Sequence, residues 1–326
     1  MKVLLLGYSS IARRRVLPAL KASGIEDVDI ASVSAETVEW SGAGQPRLFR
    51  NYETALKETD ADAVYVSTVN NLHAELAERA LERGLHVAID KPAFLSLEET
   101  RRALDIATRN DRCIAEATVY FYHPRIATAL QVFKEAQADP TNIVAVVSFP
   151  PHPSHNFRYR AELGGGAMLD LGPYAITPGR VFFGEASSEI IGRYLSSRNG
   201  VDTSFSLMAT YSMGRSTVGS FGYTTGYLNR LDLLGPGITV SMDRAFSPLA
   251  NVTTELIVRR EDQMVTITIP PADTFALFFN DFFHAIARRD YSRFAAAMLA
   301  DAHEMARLRH SALQEATLEN KLLKLG

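Results

Sequence analysis

The chain has 326 residues, with 34 Lys and Arg against 37 Asp and Glu and a formal charge of −3. At roughly 150 residues per domain, that length predicts about two domains, each able to bury a core without disulfides. The charge balance excludes the broad basic field of a non-specific nucleic-acid binder, and the single cysteine, Cys113, excludes an internal disulfide or a cysteine-based zinc site. A cytoplasmic protein with an ordinary core thiol and no metal is expected.

The opening Met1-Lys2-Val3-Leu4-Leu5-Leu6 is too short an apolar run for a signal peptide and reads as a first strand. No segment approaches the ~18 apolar residues of a membrane span, and Asn280 and Asp281 interrupt the aromatic stretch Phe275 to Phe283. Short apolar runs at Val3–Leu6, Val28–Val33, Ala63–Ser67, His86–Ile89 and Cys113–Ala117 predict five or six strands. Helical periods near Ile11–Ala22, Asn70–Arg83, Ser96–Asn110 and Pro124–Ala136 lie between or after them, the pattern of βαβ units on a doubly wound parallel sheet.

Beyond residue 140 the runs lengthen and alternate, at Ile143–Phe149, Ser188–Ser196, Thr203–Ser212, Ser216–Tyr223, Arg230–Leu234, Thr254–Val258 and Val265–Ile269. They predict a large, mostly antiparallel open sheet. A helix over Ala167–Phe183 interrupts it, and helices near Thr274–Ala287 and Met298–Leu318 close the chain. The fold class is therefore α/β. Residues 1–120 are expected to bind a nucleotide cofactor and 121–326 to bind substrate and oligomerise, with the C-terminal helices free to pack back on the first domain.

Four segments carry candidate chemistry. After the first strand, Gly7-Tyr8-Ser9-Ser10-Ile11-Ala12 stands where a dinucleotide fingerprint reads G-x-G-x-x-G. Only the first glycine is kept, but Ser9 and Ala12 are small, and Ser9 or Ser10 can cap the following helix. A ligand-free strand-to-helix turn explains these residues equally well. The stretch Ala31-Ser32-Val33-Ser34 lacks the carboxylate that holds the ribose of NAD, and Arg13-Arg14-Arg15 opens the first helix. That combination tolerates the 2′-phosphate of NADP, although a solvated arginine face has equal weight.

Next, Ser67-Thr68-Val69-Asn70-Asn71-Leu72-His73 ends the third strand. Asn70 is a good N-cap, Thr68 and Asn70 would line the crevice, and His73 reads mainly as structural. Asp90-Lys91-Pro92 places a lysine at a strand's carboxyl end, where surface charge is the bland reading. Finally, Asn156-Phe157-Arg158-Tyr159 precedes Gly164-Gly165-Gly166-Ala167-Met168-Leu169-Asp170-Leu171-Gly172-Pro173-Tyr174. On a helix, Asp170 and Tyr174 share one face, as a buried hydrogen bond or as a proton-transfer group.

These segments, with Glu116-Ala117 leading to His123-Pro124, resemble in order and spacing the glucose-fructose oxidoreductase / inositol dehydrogenase (Gfo/Idh/MocA) family. The resemblance implies a Rossmann domain followed by an open-sheet α/β domain that commonly packs against another subunit. Here Asp90-Lys91-Pro92 replaces the family's Glu-Lys-Pro, Tyr174 stands where many members have histidine, and Val69 replaces a usual proline. The tyrosine is similar to a subset containing glucose-fructose oxidoreductase, dimeric dihydrodiol dehydrogenase and the nucleotide-sugar 3-ketoreductases of deoxysugar pathways, and the segment Ile11 to Leu20, Phe157-Arg158-Tyr159 and Asp243-Arg244-Ala245-Phe246 resemble the last of these.

The resemblance implies hydride transfer between a nicotinamide, NADP in preference to NAD, and a sugar ketone or hydroxyl. Tyr174 would move the proton, Lys91 would favour its phenolate, and Asp170 would orient them. Gly7, Ser9, Ser10, Ile11, Ala12, Arg13, Arg14, Ser32, Ser34, Thr68, Asn70, His73 and Lys91 would hold the cofactor. Arg158, Tyr159, Asp170 and Tyr174 would meet substrate, with Arg244 and Tyr223 available to a linked nucleotide. A homodimer or homotetramer through the second sheet is expected. Alternatives are a dehydrogenase of a free sugar, cyclitol or dihydrodiol, and a non-catalytic NAD(P)-binding sensor or assembly protein.

Overall fold

Six strands, β1 (Lys2–Leu6), β2 (Asp27–Ala31), β3 (Leu48–Phe49), β4 (Ala63–Val66), β5 (His86–Ile89) and β6 (Ile114–Glu116), form a sheet of order β3-β2-β1-β4-β5-β6 in the computed structural model, which describes residues 1–42 and 45–322. All its pairings are parallel. Helices cover both faces of such a sheet, which is why Leu4-Leu5-Leu6 is apolar without alternation and fully buried. The helices of this region are α1 (Leu17–Ala22), α2 (Tyr52–Glu58), α3 (His73–Glu82) and α4 (Leu97–Arg109). Strand order reverses between β1 and β4, so the turns that begin at Gly7 and Ser67 meet where such sheets bind ligands.

Local chemistry changes the expected elements in three places. The first helical segment opens with a π turn over Ala12–Val16 before α1. Strand β3 and helix α2 were not anticipated, because a two-residue strand has no readable period. Helix α3 opens through a 3-10 turn over Asn70–Leu72, so Asn70 begins that turn and is not the helix cap.

The chain divides into two compact units, Met1–Val119 with Asp273–Leu299, and Tyr120–Ala272 with the chain from Ala300 onward. In the second unit α5 (Pro124–Glu135), β7 (Asn142–Ser148) and α6 (Ala167–Phe183) precede seven more strands. Helix α7 (Thr274–Arg288) then returns to the first unit, and α8 (Ser292–Leu322) begins there. Phe278, Phe279 and Phe282 of α7 are almost wholly buried, and Phe279 meets Tyr65 edge-on at 5.5 Å. Arg15 lies over the Phe275 ring at 5.3 Å, and Ser23 donates to the Ala276 carbonyl at 3.2 Å.

The second unit's strands are β7, β8 (Glu189–Arg198), β9 (Val201–Thr210), β10 (Ser216–Gly222), β11 (Leu228–Gly235), β12 (Ile238–Asp243), β13 (Thr254–Arg260) and β14 (Gln263–Ile269). They run in the order β14-β13-β12-β11-β7-β10-β9-β8, antiparallel except for β7 beside β10. Alternation sets the two faces: Ile143, Ala145 and Val147 are buried while Val144 and Val146 are half-buried. Phe205 and Phe221 stack across β9 and β10 at 5.1 Å in a core shared with Met168, Leu171 and Ala175 of α6. On the opposite face Ile191, Met208, Val218 and Val144 stand side by side in register, and the first three are exposed.

Among the described residues, no helix is long and apolar enough to cross a membrane. No group of three or more His, Cys, Asp or Glu among them is placed to hold a metal ion.

Because Phe278 has no solvent exposure, Phe278→Ala should remove ~3–5 kcal/mol of stability, read as a lower urea midpoint. An unchanged midpoint would contradict the placement of α7 in the first core.

Candidate active site

In the first unit the turn after β1 has no room for a side chain. Gly7 has φ +98°, and a Cβ there would lie 2.3 Å from the Ser67 carbonyl oxygen. The Ser9 hydroxyl accepts from the Ala12 amide at 3.0 Å and so caps the helix start, as expected. Ser10 is exposed, Ile11 half-buried and Ala12 buried.

The same Ser9 hydroxyl lies 2.7 Å from that of Ser67, which donates to Asp90 Oδ2 at 2.5 Å. Tyr65 donates to the other oxygen of Asp90. Burial raises the Asp90 pKa and pushes the Tyr65 phenol well up, so Tyr65 stays a donor. A hydrogen-bonded chain therefore joins the capped turn to Asp90, the residue before Lys91, and the peptide that follows, Lys91–Pro92, is cis. Sequence reasoning missed Tyr65 because a central-strand tyrosine reads as core.

His73 is 1% exposed, its ring nitrogens 3.0 Å from the Pro92 carbonyl and 3.2 Å from that of Thr68. Burial lowers its pKa. His73 thus ties Thr68 to Pro92. Asn70 is likewise buried, and Thr68 half-buried.

The arginine run lies within the π turn. Arg13 and Arg14 are exposed, Arg13 over the Tyr8 ring at 5.6 Å and Arg14 donating to the Ser10 carbonyl at 3.3 Å, whereas Arg15 turns toward Asp273 at 3.6 Å. After β2, Ser32 is buried, its hydroxyl accepting from the Ala35 amide at 3.1 Å, and Ser34 is exposed. Arg50, just past β3, donates to the carbonyls of Ala35 and Glu36, bringing to this turn a cation the sequence did not signal.

In the second unit Asn156 accepts from the Arg158 amide at 3.0 Å, and two 3-10 turns lead to Gly164. Gly166, at φ +120°, donates to the Arg158 carbonyl at 2.9 Å, and a Cβ there would lie 2.6 Å from Asp202 Oδ1. Asp202 accepts from the Met168 amide at 2.6 Å and so faces the positive end of α6. No local pattern marked this role for a strand aspartate.

Asp170 lies one turn before Tyr174 on α6 and is 7% exposed. Its Oδ2 accepts from Arg158 Nε at 2.7 Å and from the Tyr223 hydroxyl at 2.7 Å. The Asp170 charge raises the Arg158 pKa, and burial pushes the Tyr223 phenol well above its ordinary value. Tyr174 is half-buried, 5.1 Å from the Phe246 ring and edge-on to Tyr120 at 6.1 Å. The segment bearing Phe246 is held by Arg125, which has no solvent exposure and donates to the carbonyls of Asp243, Arg244 and Ala245 at 3.0, 2.6 and 2.6 Å.

Two residues expected near substrate lie in the core. Tyr159 is 3% exposed, its hydroxyl accepting from the His152 amide at 3.0 Å, and Tyr223 is 1% exposed; both are core rings. Arg158 commits Nε to Asp170, so it braces that carboxylate whatever else it meets. His123 caps α5, its Nδ1 accepting from the Arg125 amide at 3.3 Å.

Comparison with known proteins follows this geometry. Residues 1–118 match the oxidoreductase family with an NAD-binding Rossmann fold, and residues 136–240 match the GFO/IDH/MocA C-terminal domain. The chain is 28% identical over 303 residues to a dTDP-3,4-didehydro-2,6-dideoxy-alpha-D-glucose 3-reductase of Actinomadura kijaniata, covering 90% of this chain and 89% of that protein. It is 33% identical over 277 residues to the enzyme of the same name from Streptomyces violaceoruber, covering 82% and 80%. It superimposes with TM-score 0.87 and 26% identity on a 3-ketoreductase from Actinomadura kijaniata in complex with NADP and TDP-benzene, covering 95% of this chain and 97% of that one.

Burial pulls the His123 pKa down to about 4, against about 6.5 for a histidine in an unfolded chain. Between these values the unfolded chain binds more protons, so the contribution is complete above about pH 6.5 and declines as pH falls toward 4. His123→Asn, which keeps a capping oxygen, should flatten the fall of the urea midpoint across that window. An identical slope in the variant would contradict a buried neutral imidazole.

Proposed function

The chain belongs to the Gfo/Idh/MocA family of oxidoreductases, and from that premise we propose that it reduces the 3-keto group of a nucleoside-diphosphate-linked hexose with NADPH. The observation that carries the reading is the braced face of α6, where Asp170 and Tyr174 stand one turn apart with Arg158 and Tyr223 on the carboxylate. Two relatives matched over four-fifths or more of both chains are 3-reductases of dTDP-linked sugars, and one solved relative holds NADP.

The first unit's residues fit a dinucleotide. The cradle at Gly7 excludes a Cβ, and the capped helix start presents backbone donors suited to a pyrophosphate. Gly7, the Ser9–Ala12 turn and Thr68 would hold that pyrophosphate and its ribose. Ser34, Arg13, Arg14 and Arg50 would take the 2′-phosphate, with no carboxylate in Ser32–Ser34 to repel it. When bound, the nicotinamide supplies the hydride.

Tyr174 then donates its phenolic proton to the ketone oxygen, and takes it back in the reverse reaction. The positive charge of Lys91 offsets the phenolate left behind. Asp170, held by Arg158 and Tyr223, orients the sugar hydroxyls from the same helix face. The row Ile191, Met208 and Val218 supports a homodimer or homotetramer through the second sheet. The lone buried thiol supports a cytoplasmic location.

Tyr174→Phe and Lys91→Ala should each lower kcat by ~10²-fold or more with the thermal midpoint retained. NADPH oxidation against a thymidine-diphosphate-linked 3-ketohexose measures this, and near-normal turnover in both variants would refute the assignment. Equal kcat/KM for the free ketosugar would move the substrate class to unlinked sugars. Ser34→Asp should raise KM for NADPH about tenfold or more through like-charge repulsion, with little change for NADH. Equal KM values for wild type and variant would place the 2′-phosphate elsewhere.

A further inference from the structure

An exposed ring in the second unit has no part in the reduction step. Tyr227 precedes β11 and is 47% exposed, an unusual position for a tyrosine with aromatic backing. Its ring centroid lies 5.6 Å from Phe149, which continues the buried series Ile143, Ala145 and Val147 and packs against the core under α6. Phe149 in turn stacks on His152 at 6.3 Å, and His152 lies 4.9 Å from Tyr223, the donor to Asp170.

A cation flanks the same ring. The Arg244 guanidinium lies 5.6 Å from the Tyr227 centroid, and among the described residues no carboxylate pairs with it. Arg244 has φ +49° in the turn after β12, a left-handed conformation uncommon for a residue with a Cβ. The turn is anchored: the Arg244 amide donates to the Asn229 carbonyl at 2.6 Å, and its carbonyl accepts from buried Arg125 at 2.6 Å. Two residues on, Phe246 packs against Tyr174 at 5.1 Å. One clamped segment thus sets a cation beside an exposed ring at one end and backs the proton donor at the other.

We propose that Tyr227, with Phe149 against it and the Arg244 guanidinium over its ring, is the stacking subsite for the base of a nucleoside-diphosphate-linked substrate, the base taking the place of Arg244 on the ring as Arg244 turns to the diphosphate. This rests on the nucleotide-linked reading of the site. A planar π system takes one face of an aromatic ring whatever the base, and a guanidinium matches phosphate oxygens in bidentate geometry. A flat aromatic next to an anion is the chemistry that satisfies both groups together.

The test is calorimetric titration of the full chain, with NADP bound, by thymidine diphosphate. Wild type should bind. Tyr227→Ala should bind about tenfold more weakly, and Tyr227→Phe, which keeps the ring face, should bind within about twofold of wild type. Arg244→Gln should weaken thymidine diphosphate while leaving thymidine unaffected. KM for the nucleotide-linked ketosugar should follow these losses, with kcat and KM for NADPH unchanged. Wild-type binding with an undiminished Tyr227→Ala would overturn the subsite and leave the nucleotide-linked reading standing. No binding by a folded, NADP-loaded wild type would overturn both.

Discussion

A carboxylate on the buried side of a helix must find compensating charge and donors, and Asp170 on α6 imposes that requirement on the second unit. An ion withdrawn from water costs several kcal/mol unless paired in good geometry. Here Arg158 and Tyr223 both converge on Oδ2, from a 3-10 turn and from the end of β10. Arg158 can reach α6 because the glycine run lets the chain fold back on the Arg158 carbonyl, while Asp202 receives the start of the helix. Helix α6 is therefore held at its first turns from three sides, and Tyr174 inherits that rigidity.

The first unit repeats the logic with other residues. Asp90 is compensated by Tyr65 and Ser67, and Ser67 passes the connection to the hydroxyl that caps the first helix. In each unit a hydrogen-bonded acid stands close along the chain to a residue of the proposed site, Asp90 before Lys91 and Asp170 one turn before Tyr174. Such supporting bonds keep a reacting group within the narrow geometry that proton transfer needs.

Much of this was legible in the sequence because period and burial are directly coupled. Unbroken apolar runs gave parallel strands, alternating runs gave the antiparallel sheet, and the spacing of Asp170 and Tyr174 placed both on one helix face. Parity would also have buried Tyr223, since it continues the inward series of Thr217 and Phe221 on β10. Tyr159 lies in a 3-10 turn, where no period distinguishes inside from outside. Arg125 and Asp202 were hidden for another reason: a charged residue on a helix or strand reads as solvated, and only tertiary carbonyls or a neighbouring helix start make its burial favourable. The three arginines after the Gly7 turn look equivalent in sequence, but successive helical residues point to different faces, so Arg13 and Arg14 are exposed and Arg15 reaches Asp273. The role proposed for Lys91 rests on family resemblance, since an isolated lysine has no signature of its own, whereas Tyr174 was paired with Asp170 by their spacing.

The central claim is that this chain transfers hydride to a sugar ketone. The most direct measurement is mass spectrometry of the product formed from NADPH carrying deuterium at the transferable C4 position and a thymidine-diphosphate-linked 3-ketohexose. The account predicts one deuterium at C3 of the sugar and none gained from deuterated solvent at that carbon. A chain that binds NADPH tightly yet returns the ketosugar unlabelled and unreduced would contradict it.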